Sequence, residues 1–321
     1  MSLRLFLLFL SNIKNMTETK SLTERVYDYL LSEKTKKKTE IFFISLAIIS
    51  FILHLLIITL VDLKIILIND YSKLLNDPIS AIYTPFSFIL IYEVYLLVYY
   101  LPKSTTIYIG KQYEIITLII IRRIFKDLTK LEINSNWFNV KTNVNFTLDI
   151  LATVILFFLI FIFYKLNRQN EINQAKIQKH IEVTKFINLK NIFAIVLIPI
   201  FLILSIYSLG HWIYESFFSL KEIVNNIKDI NKIFFEKFFT ILILTEVLLL
   251  LFSFFLSDKF NRVIRNSGFI ISTILIKLSF GTEGIMNTIL IVTAVLFGVI
   301  ILAIHNKYET LELKKESSIM S

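Results

Sequence analysis

The sequence has few of the residues that break helices and none of the residue that forms disulfides. It contains no cysteine, which excludes disulfides, thiolate metal sites and thiol nucleophiles and leaves the redox compartment undetermined. With only 6 glycines and 4 prolines in 321 residues, it is not a transporter with many unwound segments, although one or two broken helices are compatible with it. Most apolar segments are therefore expected to be unbroken helices.

Charged residues are also scarce. They make up 18% of the chain against 55% hydrophobic residues, with a mean hydropathy of +0.69, whereas a soluble protein has about 25% charged and about 45–50% apolar residues. This composition predicts a polytopic membrane protein. The net charge of +9 lies mostly beside the apolar segments, where the positive-inside rule places Lys and Arg. We therefore expect anionic lipid headgroups at the cytoplasmic face as partners, and no nucleic acid.

Eight apolar segments approach the length of about 20 residues that crosses a bilayer. They are residues 41–61, 85–101, 112–128, 148–164, 192–207, 238–256, 268–280 and 289–304. The third is marginal in hydropathy because it contains arginines. The sequence thus predicts an all-α integral membrane protein with eight transmembrane helices.

The segments between the spans predict the orientation. Residues 1–39 form a cytoplasmic N-terminal extension, with Met16 as an alternative start and an amphipathic helix at 19–32 on the membrane surface. The turns, the linker 167–190 and the tail 307–321 are basic, whereas 62–80 and 221–237 are charged amphipathic connections on the outside. Both termini are therefore expected in the cytoplasm of a cell whose inner (cytoplasmic) membrane holds the protein.

The order of features repeats along the chain, in units 40–166 and 191–306. A shift of 153 residues aligns Glu93-Val94 with Glu246-Val247, and a shift of 155 aligns Arg122 with Lys277. Identities between isoleucines carry little weight in this composition, so the prediction depends on the recurring order: span, charged connection, span with Glu, basic turn, short span with a cation, span. Since each unit has an even number of spans, the two four-helix repeats are predicted to be parallel.

Charged residues within these spans are the candidate sites. Counted from the inner span ends at about 1.5 Å per residue, Glu93 lies about 12 Å deep and Arg122 about 15 Å, and Glu246 and Lys277 about 15 Å each. An ionised group at mid-bilayer costs at least ~2.5–3.5 kcal/mol, so we expect a Glu93/Arg122 pair and a Glu246/Lys277 pair. Each pair is interpreted as a helix-joining device, as a proton or ion relay, or as a ligand or lipid site.

Four further residues have simpler interpretations. Arg123 is one helical step, about 100°, from Arg122 and is expected to reach the outer interface. Asp127 and Asp149 flank an outer loop and are expected to be solvated. His54 lies within the first span and is expected to be a hydrogen-bonded packing residue, with titration near neutrality as the alternative.

No pattern of catalytic residues is present. The remaining histidines, His180, His211 and His305, have no ligand spacing, and no HExxH, GxSxG, P-loop or Rossmann fingerprint occurs. We therefore expect no enzyme activity, no cofactor and no metal site.

Three short motifs in the first unit suggest a family. They are Tyr92-Glu93 in the second span, Arg122 followed by Asp127 in the third, and Leu-Asp-Ile-Leu at residues 148–151 opening the fourth. With these, residues 41–165 resemble the phosphate-starvation-inducible PsiE family of small four-helix inner-membrane proteins. The second unit keeps only the Glu, and a Lys in place of the Arg. The resemblance implies a four-helix membrane unit, duplicated in this chain, and implies no reaction.

Two functions fit these predictions. The first is a membrane protein that conducts or couples ions or protons through the charged sites. The alternative is a structural or signalling membrane protein whose cytoplasmic linker and N-terminal helix bind a partner. Assembly into a homo-oligomer is compatible with both.

Overall fold

All regular structure in the described part of the chain is helical. The computed structural model describes residues 22–65, 78–128, 131, 137–174, 181–218, 230–256 and 260–320. Its α-helices are α1 Leu22–Leu30, α2 Glu33–Asp62, α3 Tyr83–Tyr100, α4 Thr105–Leu128, α5 Lys141–Gln174, α6 Ile181–Phe218, α7 Ile230–Leu256, α8 Phe260–Phe280 and α9 Ile285–Met320. Short 3₁₀ helices cover Pro78–Ile82 and Trp137–Asn139, and the described residues contain no strand.

Within the described residues, six helical segments are long and apolar enough to cross a membrane, by length and composition. They are Arg25–Asp62, Lys141–Arg168, Ile187–Ser208, Lys237–Phe254, Asn261–Phe280 and Ile285–Leu311, and Thr84–Tyr100 is a shorter apolar helix. Large apolar side chains such as Ile41, Phe158 and Leu202 are more than half exposed on the outer faces, which suits lipid and not water. The prediction of an all-α polytopic membrane protein is confirmed at this level. Eight spans, the repeat and the orientation stay predictions.

The helices are longer than the predicted spans. α4 begins at Thr105 and α8 at Phe260, seven and eight residues before the predicted starts. The predicted linker 167–190 is mostly helix, since α5 ends at Gln174 and α6 begins at Ile181. Residues 1–15 with Met16, most of the connection 62–80, and 221–229 of the second outer connection lie outside the described residues.

The two predicted units share one hydrophobic core. α4 packs against α3, α5 and α8, α5 packs against α9, and α3 also packs against α6. The buried cluster accordingly contains Leu97 and Ile116 from the first unit together with Phe239, Phe269 and Val295 from the second. α1 packs against α6, and the Leu30 carbonyl accepts a hydrogen bond of 3.1 Å from Tyr95 Oη.

Close approach of α4 to α9 requires glycine at one position. A Cβ atom added to Gly298 would lie 1.7 Å from Tyr113 Oη. Tyr113 is fully buried, and its hydroxyl lies 2.8 Å from Ser272 Oγ on α8. Gly298 thus lets Tyr113 reach between α8 and α9.

Candidate functional site

The Glu93/Arg122 ion pair predicted from the sequence is present. Arg122 Nη2 on α4 donates to Glu93 Oε2 on α3. The two side chains are 7% and 3% exposed. The pair therefore joins α3 to α4 as an enclosed contact between helices.

The predicted Glu246/Lys277 pair is wrong. Glu246 is 7% exposed, and its Oε1 accepts a hydrogen bond from Gln112 Nε2 of α4. Thr273 Oγ1 on α8 completes this contact by donating to Gln112 Oε1 at 2.9 Å. Lys277 lies one turn beyond Thr273, is partly exposed, and forms no salt bridge with any residue that the structure describes. The reason is that Gln112 of α4, held by Thr273 of α8, meets the Glu246 carboxyl group at the place where Lys277 was expected.

Glu246 borders a small cavity. The cavity has a volume of about 40 Å³, and its polar lining comes from Thr105, Tyr108, Lys190, Glu246 and Asn266. This is room for a water molecule or a similarly small species. Glu246 Oε2 and Tyr108 Oη are both buried and make no hydrogen bond of standard geometry to another described residue. These two polar atoms thus face the cavity, and Tyr108 is close enough to Glu246 to interact with its carboxyl group.

Lys190 lines the cavity at the end of the bundle where α4 begins. Its Nζ donates to the Lys103 carbonyl at 3.1 Å and to Thr105 Oγ1 at 3.3 Å. The side chain lies on α6 and is 6% exposed. The cavity therefore has an ammonium group towards one end and a carboxyl group at its deeper side.

Sequence reasoning missed most of this site. Thr105, Tyr108 and Gln112 follow one another at spacings of three and four residues, which places polar groups along one face of α4. This polar stripe indicated that one face of α4 packs against other polar groups and not against lipid. Nothing in the sequence indicated that it would meet Glu246, because the contact joins segments 134 residues apart.

Arg123 and Asp149 form a second polar network, and the prediction that Asp149 is solvated is wrong. Arg123 Nε and Nη2 bind Asp149 Oδ2 and Oδ1 at 2.5 and 2.6 Å, and Asp149 is only 2% exposed. The same guanidinium donates to Asn287 Oδ1 and Thr288 Oγ1 on α9 at 2.5 and 2.8 Å. The 100° step from Arg122 turns Arg123 towards α5 and α9, where its partially exposed guanidinium finds these partners. Asp127 is partly buried near the end of α4.

The prediction for His54 is confirmed. Its side chain is 5% exposed and its Nδ1 lies 2.5 Å from Thr84 Oγ1. It packs between α2 and α3. His305 lies elsewhere, with Nδ1 2.8 Å from Asn261 Oδ1 and Nε2 3.1 Å from Arg265 Nη1, while the side chains of His180 and His211 lie outside the described part.

These features define an all-helical, polytopic membrane protein with polar networks inside its helix bundle. No family model, no curated protein and no solved structure matches the chain. The resemblance of its first unit to the PsiE family stays a prediction. Its function has to be inferred from the networks themselves.

Proposed function

We propose that this membrane protein couples or conducts protons or small cations and that Glu246 is the exchanging group. The observation that carries the proposal is a buried carboxyl group that borders a cavity, has one oxygen without a hydrogen bond, and forms no salt bridge with a described Lys or Arg. No enzymatic step is needed for this role.

A lone carboxylate inside a helix bundle is costly in free energy. Without a paired charge, the cost is relieved when the group takes up a proton, a cation or a hydrogen-bond donor. Gln112 supplies one donor to Oε1. Oε2 remains for a proton or an ion that enters through the cavity, with Tyr108 Oη as a second polar contact.

Glu93 is a weaker candidate for exchange. Its carboxylate is already compensated by Arg122, and neither residue lines the cavity. Protonating Glu93 would remove the carboxylate charge that compensates the Arg122 guanidinium, which is unfavourable. The two glutamates that correspond in the predicted repeats thus have different roles.

Apolar side chains border the site on the side away from the cavity, with the buried Thr117 among them. Along α4, the positions between Gln112 and Arg123 include the buried Ile116 and Ile120, and Ile276 follows Thr273 on α8. Apolar side chains without water do not relay protons. The arrangement therefore supports alternating access to Glu246 and not an open channel.

Flux measurements in proteoliposomes test this role. Proton, sodium and potassium fluxes are measured for the wild type and for Glu246→Gln, which keeps the size of the side chain and removes its charge. Glu283→Gln, an exposed carboxyl group near the start of α9, is the control. We expect flux in the wild type and the control, and only the background of protein-free liposomes in Glu246→Gln. Equal flux in all three, or none in folded wild-type protein, contradicts the proposal.

A structural or signalling role is the second candidate. The observation that favours it is that both arginines of α4 form ion pairs, which join this helix to α3 on one side and to α5 and α9 on the other. Such pairs serve as devices that fix helix register. If folded wild-type protein gives no flux, this role is the one that remains.

A further inference from the structure

Three lysines converge on one tyrosine ring at the end of the bundle where α2 begins, α3 ends and α4 begins. The Nζ atoms of Lys36, Lys103 and Lys111 lie 5.5, 5.7 and 5.3 Å from the centroid of the Tyr100 ring. Lys36 Nζ also donates to Tyr100 Oη at 3.2 Å. The three residues come from three separate helices or turns, so the fold, and not local sequence, brings their charges together.

The local carboxylates do not balance this charge. Glu33 binds Lys103 at 3.2 Å and lies 3.9 Å from Lys36, and Glu114 binds Lys111 at 2.7 Å. Lys190 adds a further ammonium group, which contacts the carbonyl of Lys103. Four lysines against two glutamates leave an excess of positive charge, which repels itself and attracts an anion.

The cluster also has hydrogen-bond donors available. An ammonium group has three N–H donors, and Lys36 uses one of them in a hydrogen bond to a described side chain. Its side chain and those of Lys103 and Lys111 are 21%, 35% and 25% exposed. The three ammonium groups are thus partly accessible to solvent or lipid, while the Tyr100 ring contacts them from the protein side.

We infer that Lys36, Lys103 and Lys111 bind the phosphate group of an anionic phospholipid. The cluster lies at one end of the apolar helices, where headgroups are found, and lysines next to a membrane span recognise anionic lipid through charge. Tyrosines are enriched at this depth because their rings are apolar and their hydroxyls polar. None of these three lysines lines the cavity at Glu246, and Lys190 lies between the two sites.

Two triple variants of equal charge test the inference. Lys36, Lys103 and Lys111 are all replaced by Gln in one, and the exposed Lys34, Lys37 and Lys38 of the same region in the other. The full chain in an uncharged detergent is titrated with phosphatidylglycerol or with phosphatidylcholine, and bound lipid is counted by native mass spectrometry. We expect the wild type and the control variant to prefer phosphatidylglycerol, and the cluster variant to bind it at least about tenfold more weakly.

Three results would overturn the inference. The first is an equal loss of lipid binding in both variants, which would indicate charge attraction without a site. The second is a wild type that does not prefer phosphatidylglycerol. The third is equal thermal stabilisation by inorganic phosphate and by phosphatidylglycerol at matched ionic strength, which would assign the site to a free anion. If the cluster variant does not fold, Lys36→Gln alone is measured, with a loss of about fivefold expected; unchanged binding in that variant also overturns the inference.

Discussion

Neighbouring arginines on α4 have separate partners. Arg122 binds Glu93 of α3, and Arg123 binds Asp149 of α5 together with Asn287 and Thr288 of α9. A rotation of about 100° between adjacent residues makes this division possible. α4 is therefore attached to its neighbours on two sides by buried charge.

Removing one partner of the Glu93/Arg122 pair is expected to lower the free energy of unfolding, whereas replacing both partners by apolar residues is expected to change it little. Arg122→Met leaves the Glu93 carboxylate buried without a partner and should lower the free energy of unfolding by about 3–5 kcal/mol. Adding Glu93→Leu should restore most of this loss, because an apolar pair of similar size needs no compensating charge. Unfolding with SDS in mixed micelles measures both. Additive losses in the double variant would mean that the two side chains act independently.

Asp149→Asn is expected to destabilise the second network. The amide keeps the shape of the side chain but removes the charge that holds Arg123, so we expect a loss of about 2–4 kcal/mol in the same assay, the partial exposure of Arg123 moderating the effect. Asp62→Asn, at the exposed end of α2, is the matched control and should be neutral. Similar values for the two variants would show that Asp149 is effectively solvated.

Individual pairs were only partly predictable from the sequence. Residue types indicated which charges needed partners, and Glu93 with Arg122 was predicted on that basis. Depth, however, was counted from spans that began too late. In the structure Glu93 precedes the end of α3 by seven residues while Arg122 follows the start of α4 by 17, so equal depth is not what brings them together. The tilt and packing of helices decide such contacts, and a single sequence does not contain them.

Among the helices, α4 shows why the third predicted span, residues 112–128, is only marginally hydrophobic. It contacts α3, α5 and α8 and carries buried polar residues such as Gln112 and Thr117. A helix surrounded by protein can carry polar groups that a lipid-facing helix cannot. α2 and α5 have many exposed apolar side chains. Their high hydropathy therefore made them predictable as membrane spans.

Gly298→Ala should disrupt the contact between α4 and α9. The added methyl group would collide with Tyr113 Oη, and because Tyr113 is fully buried it cannot move without breaking its contact with Ser272. We expect a loss of about 1–3 kcal/mol in unfolding free energy, as for other overpacked cores.

Two further variants make this experiment specific. Gly210→Ala on α6 has open space around the new Cβ and should be neutral or slightly stabilising, because alanine favours helix. Tyr113→Phe removes the atom nearest to the added methyl group, so it should partly rescue Gly298→Ala. Absence of rescue would place the strain elsewhere in the bundle.

At the scale of the whole molecule, the two predicted repeats do not form separate bodies. Gln112 of the first contacts Glu246 and Thr273 of the second, and Arg123 contacts Asn287 and Thr288. Four long helices, α2 to α5, precede residues 175–180 and four, α6 to α9, follow them, which is the count that a duplication predicts. The duplication stays a prediction, and the shared core is what holds the bundle together.

Cutting the chain between the two halves tests this view of the molecule. Residues 1–177 and 178–321, produced together from two reading frames, should co-purify in mild detergent through the core and the two networks that cross between them. Replacing both Gln112 and Arg123 by Leu in the first fragment removes polar contacts between the fragments and should reduce co-purification several-fold, because Glu246, Asn287 and Thr288 of the second fragment lose partners. Lys277→Gln in the second fragment should have no effect, since Lys277 forms no salt bridge with any described residue. If the unmodified fragments instead elute separately and each remains folded, the halves are independent units and the shared core is not needed for their stability.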